Sequence, residues 1–362
     1  MDPALLVQYG STLLTIALVI GFLMAFGIGA NDVANTMATS VGTGAITVKK
    51  ALIIAAIFEF AGAYLAGGEV TNTIKDNIID TGAYKGMEFK LALGMISALF
   101  ASGVWLILAS VFGWPVSTTH TIIGSLIGFA LVTTDASAVH WSVIAGIFGS
   151  WIVTPAISGL IAYLLFVAIQ RTIFIRFHPF AKAKSMAPYF IALTFFILSI
   201  VTMQNGLKHV GIIISNAESL VLSLVIALIS AVAEIVRSGE DGALESAWLL
   251  SLGAVGIVIG LATLGYQVMK TIGTNITHLT PSRGFAAQLA TATTVVIASG
   301  TGLPISTTQT MVGAVMGVGL ARGISAINLS VVRKILVSWV VTLPAGAVFA
   351  VLFYFIMVQI FC

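Results

Sequence analysis

The chain has 362 residues, 59% of them hydrophobic and 8% charged, with a mean hydropathy of +1.10 and a formal net charge of +3. A soluble domain carries about 25% charged residues, so charge is too sparse here to coat a water-facing surface. A soluble enzyme, a nucleic-acid binder and a disordered chain are excluded together. What remains is an all-α polytopic membrane protein with roughly ten to twelve hydrophobic segments, some of them half-helices.

The start, with Asp2 and no basic stretch, reads as a retained helix rather than a cleaved signal peptide. Windows free of Asp, Glu, Lys and Arg run over 3–31, 91–134, 136–170, 185–207, 246–269, 284–321 and 335–362. Each exceeds the length of about 18 residues that marks a span. None shows the two-residue alternation of a membrane β-barrel. The single cysteine, Cys362, excludes an internal disulfide and a cysteine-based metal cluster.

Residues 27–47, GIGANDVANTMATSVGTGAIT, set Asn31, Asp32 and Asn35 among glycines at the end of the first apolar run. A broken helix at membrane depth is tolerated only where it lines a cavity or is buried in protein. A carboxylate there points to function. Asp32 with the amide oxygens of Asn31 and Asn35 suits a hard monovalent cation such as Na⁺. Asp32 as a proton carrier, or in water at an interfacial turn, are the competing readings. Glu59 sits in the apolar segment IFEFAGAYLAG and Glu234 in the similar ISAVAEIVRSG. Both are candidates for cation ligands or network members, with snorkelling to the turn at 237 as the alternative for Glu234.

Residues 114–131, WPVSTTHTIIGSLIGFAL, recur as LPISTTQTMVGAVMGVGL at 303–320. A second match follows each, WIVTPAISG from Trp151 and WVVTLPAG from Trp339. The chain therefore reads as a duplication: a first transmembrane repeat over 1–170 and a second over 185–362. They are joined by a basic linker, 171–184, that carries Arg171, Arg176, Lys182 and Lys184 and no acid. The positive-inside rule puts that linker in the cytoplasm. Duplicated halves with interrupted apolar segments at matching places point to a secondary transporter.

Pro115 and Pro304 are predicted in the first turn of a helix. That places Ser117, Thr118, Thr119 and Thr121, and likewise Ser306, Thr307, Thr308 and Thr310, beside free backbone amides and the positive end of a helix dipole. Two such ends facing each other would bind a desolvated oxyanion. In the competing reading the hydroxyls only cap the helices or bond back to the i−4 carbonyl. His120, replaced by Gln309 in the second copy, is expected to be a hydrogen-bonding wall residue. The stretch 265–283 is expected along the interface, and 237–246 as a polar turn. No phosphate-binding loop of the G-x-x-x-x-G-K-[ST] type occurs, so energy must come from an ion gradient or from the substrate's own. No paired acid and base marks an enzyme.

GANDVAN with TSVGTGAIT, PVSTTHTIIG, TPSRGF and GLPISTTQTMVGAVMGVG, in that order, closely resemble the inorganic phosphate transporter (PiT) family, from about residue 20 to about residue 345. The resemblance implies phosphate transport driven by Na⁺ or H⁺, two inverted repeats with re-entrant helices, and a homodimer in the bacterial inner membrane. Phosphate and the coupling ion would be its ligands, lipid its surroundings, with no cofactor and no nucleic acid. By position, phosphate would meet Ser117, Thr118, Thr119, Thr121, Ser306, Thr307, Thr308 and Thr310 with Asn31 and Asp32. The cation would meet Asn31, Asp32, Asn35 and Glu59. One departure stands out: the second-half counterpart of the Gly-x-Asn-Asp-Val signature reads Gly206-Leu207-Lys208-His209-Val210. Lys208 could replace a bound cation, His209 could favour proton coupling, the oxyanion could be sulfate, or Lys208 could pair with Glu234, Glu218 or Glu59 as a strut. A passive anion channel and a binding-only sensor are the other functional readings.

Overall fold

The computed structural model describes residues 2–66, 78–175, 178–201, 219, 223, 247–299 and 305–361. Among them the regular structure is helical, with one isolated bridge between Ile79 and Val139. Helix α1 (Asp2–Ile28) passes through a π turn at Gly29–Val33 into α2 (Ala34–Gly42), and α3 (Val48–Ala66) follows. Then come α4 (Glu88–Val111), the short α5 (Thr118–Thr133) and α6 (Trp141–Ile169), which a π turn extends to Phe174. Next are α7 (Pro179–Val201), α8 (Ala247–Thr263), and α9 (Gly265–Lys270) with a π turn at Thr271–Asn275. The described chain ends with α10 (Pro281–Ser299), the short α11 (Thr307–Leu320) and the long α12 (Leu329–Phe361).

Four helical stretches among the described residues are long and apolar enough to cross a membrane: Val7–Gly42, Glu88–Val111, Trp141–Phe174 and Leu329–Phe361. A fifth forms if the bent pair Val255–Thr263 and Gly265–Asn275, at 63°, is one broken span. Helices α5 and α11, 16 and 14 residues long, fall short of the roughly 20 residues a crossing needs. They are half-helices.

Each half-helix packs on a long helix from the other end of the chain: α5 on α12, α11 on α6. Glycines make these crossings close. A methyl group on Gly124 would lie 2.3 Å from the Leu343 carbonyl oxygen, and one on Gly313 equally close to that of Pro155. Such small-residue contacts are how helices approach one another where lipid supplies no hydrophobic drive. Helices α4 and α10 flank the same half-helices. This fixes the first turns of α5 and α11 beside the π turn that carries Asp32.

Two stretches take on structure here. The stretch 265–283 packs one face against α2. Val268, Met269 and Ile272 are buried, and Gly273 fits against Ala38 and Gly42 of α2, because the small residues of both segments permit backbone contact. The linker 171–184 is largely helical: its first residues extend α6 and its last open α7.

Candidate anion and cation site

A π turn widens the helix by one residue and is common at functional sites. At Gly29–Val33 it presents Asn31 and Asp32 to the loop before α5. Ser117 and Ser306 adopt the same extended conformation, φ −97° and ψ 122° against φ −98° and ψ 110°. Their hydroxyls accept from the backbone N–H of His120 and Gln309, at 3.3 and 3.2 Å. Both serines are helix N-caps, so Pro115 lies two residues before its cap, outside the first turn where it was expected. Its carbonyl instead accepts the Trp339 indole N–H at 3.0 Å. Pro304 lies outside the described residues.

The eight candidate hydroxyls divide by job. Thr121 and Thr310 donate to the carbonyls of Ser117 and Ser306, at 2.9 and 2.8 Å, the i−4 bond of the competing reading. Thr119 pairs with the Ser117 hydroxyl at 2.8 Å. Three threonines turn to Asp32. Thr118 donates to Oδ2, while Thr308 donates to Oδ1 at 2.9 Å with Thr307 at 3.4 Å. The Thr308 proton is shared with the Val116 carbonyl, also at 2.9 Å, and its oxygen accepts from Asn35 Nδ2 at 2.7 Å. One carboxylate thus bridges the N-terminal turns of both half-helices. Asp32, Thr118, Thr119 and Thr307 keep some exposure, while Asn35 and Thr308 have none. The partly exposed group is the open side of the site.

The two asparagines differ. Asn31 Nδ2 donates to Ser110 Oγ at 3.1 Å and the Trp114 carbonyl at 2.9 Å, and its Oδ1 accepts from Val116 N–H at 3.1 Å. That amide ties the end of α4 and the loop leading into α5 to the π turn. Asn35 Oδ1, by contrast, is buried with no hydrogen-bond partner, as is Thr39 Oγ1 one turn further along α2. A buried, unpaired amide oxygen next to a carboxylate is the kind of oxygen pair a hard cation takes. Accordingly, Asn31→Ala is expected to lower the melting temperature of the purified, ligand-free protein. It strands the buried Val116 N–H, at about 1–3 kcal/mol for a buried group left unpaired, while the Ser110 hydroxyl keeps its bond to the Leu106 carbonyl.

Glu59, half-buried in α3, makes no hydrogen bond to this cluster among the described residues, though it is near enough to interact electrostatically with Asp32. Lys208, His209 and Glu234 lie outside the described residues. His120 has the expected wall role. Its ring lies 3.5 Å from that of Trp151, tilted by 32°, and Nδ1 lies 3.4 Å from the Trp339 carbonyl. Ser110 and Trp339 were missing from the candidates. For Trp339 the signal existed, because Trp151 and Trp339 open the second pair of matched blocks.

A helical bundle with several membrane-spanning stretches, in which two half-helices converge on one carboxylate, is the architecture of a transporter, not an enzyme. The sequence profile of the phosphate transporter family matches residues 28–227 and 214–350. A predicted phosphate permease of Haemophilus influenzae is 50% identical over 414 aligned positions, covering 98% of this chain and 99% of its own. That alignment is longer than this chain, so the relative carries stretches without a counterpart here. A predicted phosphate permease of Pyrococcus abyssi is 38% identical over 98% of both chains. The solved structure described as the sodium-dependent phosphate transporter superposes with a TM-score of 0.85 at 35% identity, covering 96% of this chain and all of that one. The chain belongs to the phosphate transporter family.

Proposed function

We propose that the protein is a secondary transporter that moves inorganic phosphate together with a cation, Na⁺ foremost, by alternating access. The observation that carries this reading is Asp32, held between the two half-helices by Thr118, Thr307 and Thr308. Those hydroxyls are donors that a tetrahedral oxyanion needs, and without a cation the carboxylate takes them. An anion arriving beside an unneutralised carboxylate meets repulsion in a poorly solvated site. A cation on Asp32 and the unpaired Asn35 Oδ1 removes that repulsion and frees the three hydroxyls to turn to phosphate. Coupling then follows from one shared set of donors.

From residue 247 to the C-terminus the chain has no Asp or Glu. Among the described residues Asp32 is the carboxylate that both half-helix ends hold. Ser117, Ser306, Thr119, Thr121 and Thr310 shape the anion site, and Asn31 positions its loop. We assign residues 1–170 and 185–362 to two inverted repeats that rock against each other. The basic linker faces the cytoplasm, the chain pairs as a homodimer in a bacterial inner membrane, and no cofactor beyond the coupling ion is involved.

Liposome uptake of labelled phosphate under an imposed Na⁺ or proton gradient, with sulfate as competitor, tests the reading. Saturable, Na⁺-driven accumulation indifferent to sulfate is expected. Competition by sulfate would reassign the anion, proton drive would reassign the ion, and unsaturable flux without accumulation would make the protein a channel.

A further inference from the structure

A concave feature of the bundle lies apart from the Asp32 site. A groove of about 1050 Å³ runs between α6 and α12 over the back of α11. That is at the upper end of ligand-cavity sizes, about 300–1,000 Å³. Its inner end is the ring pair His120 and Trp151, and its outer end lies at Leu320 and Leu336. Along α11, from Gln309 to Leu320, this is about 16 Å. The walls are apolar, and Ile152, Leu160 and Val340 are 75%, 60% and 72% exposed. In a membrane-spanning bundle such an opening faces acyl chains.

The outer end is basic. Arg322 follows Leu320 by two residues, and Arg333 stands one turn before Leu336 on the face that continues to Val340. Lys334 is adjacent, and all three cations are exposed. Arg283 lies at the same end, its guanidinium 5.6 Å above the Phe166 ring, one turn beyond the groove residue Tyr163. Arg283 Nε is buried and unpaired, and Arg322 is close enough to repel it. The exposed carboxylates among the described residues, Asp80, Glu88 and Asp135, cluster at the opposite end, where Tyr9 meets both Phe89 and Phe361. Like charges gathered with no described acid between them call for an anion. A second copy set groove to groove about a two-fold axis would bring the same cations together, so it fits this surface poorly.

We propose that the groove holds an anionic phospholipid, with one acyl chain along α11 and its phosphodiester among Arg322, Arg333 and Lys334. The lipid comes from the leaflet on the basic side. It braces α6 and α12 against the half-helix between them, and so links transport to membrane composition.

The test uses the full chain in nanodiscs containing dibrominated phosphatidylglycerol or dibrominated phosphatidylcholine, reading tryptophan quenching, since Trp151 and Trp339 line the groove. Phosphatidylglycerol is expected to quench at a mole fraction about fivefold lower or better, as one cation near an anionic lipid contributes about 1 kcal/mol. The triple variant Arg322→Gln, Arg333→Gln, Lys334→Gln should lose that preference and keep its melting temperature, because these side chains are exposed. Ala156→Phe, which fills an exposed groove position, should reduce quenching by both lipids. Excess inorganic phosphate should leave quenching unchanged; displacement by it would show a free-anion site and overturn the lipid assignment. Equal quenching by the two lipids in the wild type, or quenching unaffected by Ala156→Phe, would also overturn it. So would efficient disulfide crosslinking between two copies carrying Ala156→Cys with Cys362→Ser, which would mean that a second copy covers the groove.

Discussion

Asp32→Asn is expected to abolish cation-dependent phosphate uptake, cutting it by roughly a hundredfold, while the protein stays folded. The exchange is isosteric, and the amide oxygen can still accept from Thr308. What disappears is the negative charge. Removing one member of a buried charge pair costs about 3–5 kcal/mol, and each 1.4 kcal/mol is a factor of ten. The variant should also show an effect that a damaged fold would not. With no carboxylate to claim Thr118, Thr307 and Thr308, phosphate binding in detergent should persist in the absence of Na⁺ and no longer respond to it. Uptake that matches the wild type and still rises with Na⁺ would remove Asp32 from the mechanism. Loss of phosphate binding together with loss of uptake would instead make Asp32 a scaffold for the two half-helix ends.

The parts of this site visible in the sequence are those set by local rules. Ser followed by two threonines at the start of an apolar run is an N-cap signal, and Ser117 and Ser306 are N-caps with nearly the same backbone angles. Asp32 after a glycine-broken apolar run stood out because carboxylates are costly in a membrane. The division of labour among neighbours was not legible. Asn31 and Asn35 sit four residues apart and read as equals. Asn31 is consumed by Ser110, Trp114 and Val116, about eighty positions away, while Asn35 keeps its oxygen free. Likewise Thr118, Thr307 and Thr308 face Asp32 while Thr119 does not. That choice depends on how α5 and α11 are rotated, which the crossings at Gly124–Leu343 and Gly313–Pro155 fix. Pro115 was misplaced for a similar reason, since its carbonyl is held by Trp339 from the far end of the chain.

The second large effect concerns the crossing that carries the π turn. Gly260→Val is expected to prevent accumulation of folded protein, and Gly260→Ala to lower the melting temperature and uptake together. A Cβ at Gly260 would lie 1.9 Å from the Phe26 carbonyl oxygen and 3.0 Å from Ala30 N, and one at Gly29 would lie 1.9 Å from the Ile257 carbonyl oxygen. These are backbone atoms, with no rotamer to relieve the contact, so α1 and α8 must move apart. Overpacking a well-filled interior costs about 1–3 kcal/mol, and a clash with backbone belongs at the upper end. The displacement also reaches the site, because Asn31 and Asp32 lie in the turn just beyond Phe26. Even a folded Gly260→Ala protein should therefore lose uptake beyond its loss of stability. Gly146 and Gly149 of α6, where a Cβ would meet nothing within 4 Å, are the controls. Alanine there should be neutral or raise the melting temperature slightly, as Ala replaces Gly within a helix. A Gly260→Ala protein that melts and transports like those controls would show that the crossing tolerates a wider separation, and that close contact between α1 and α8 does not set the position of Asp32.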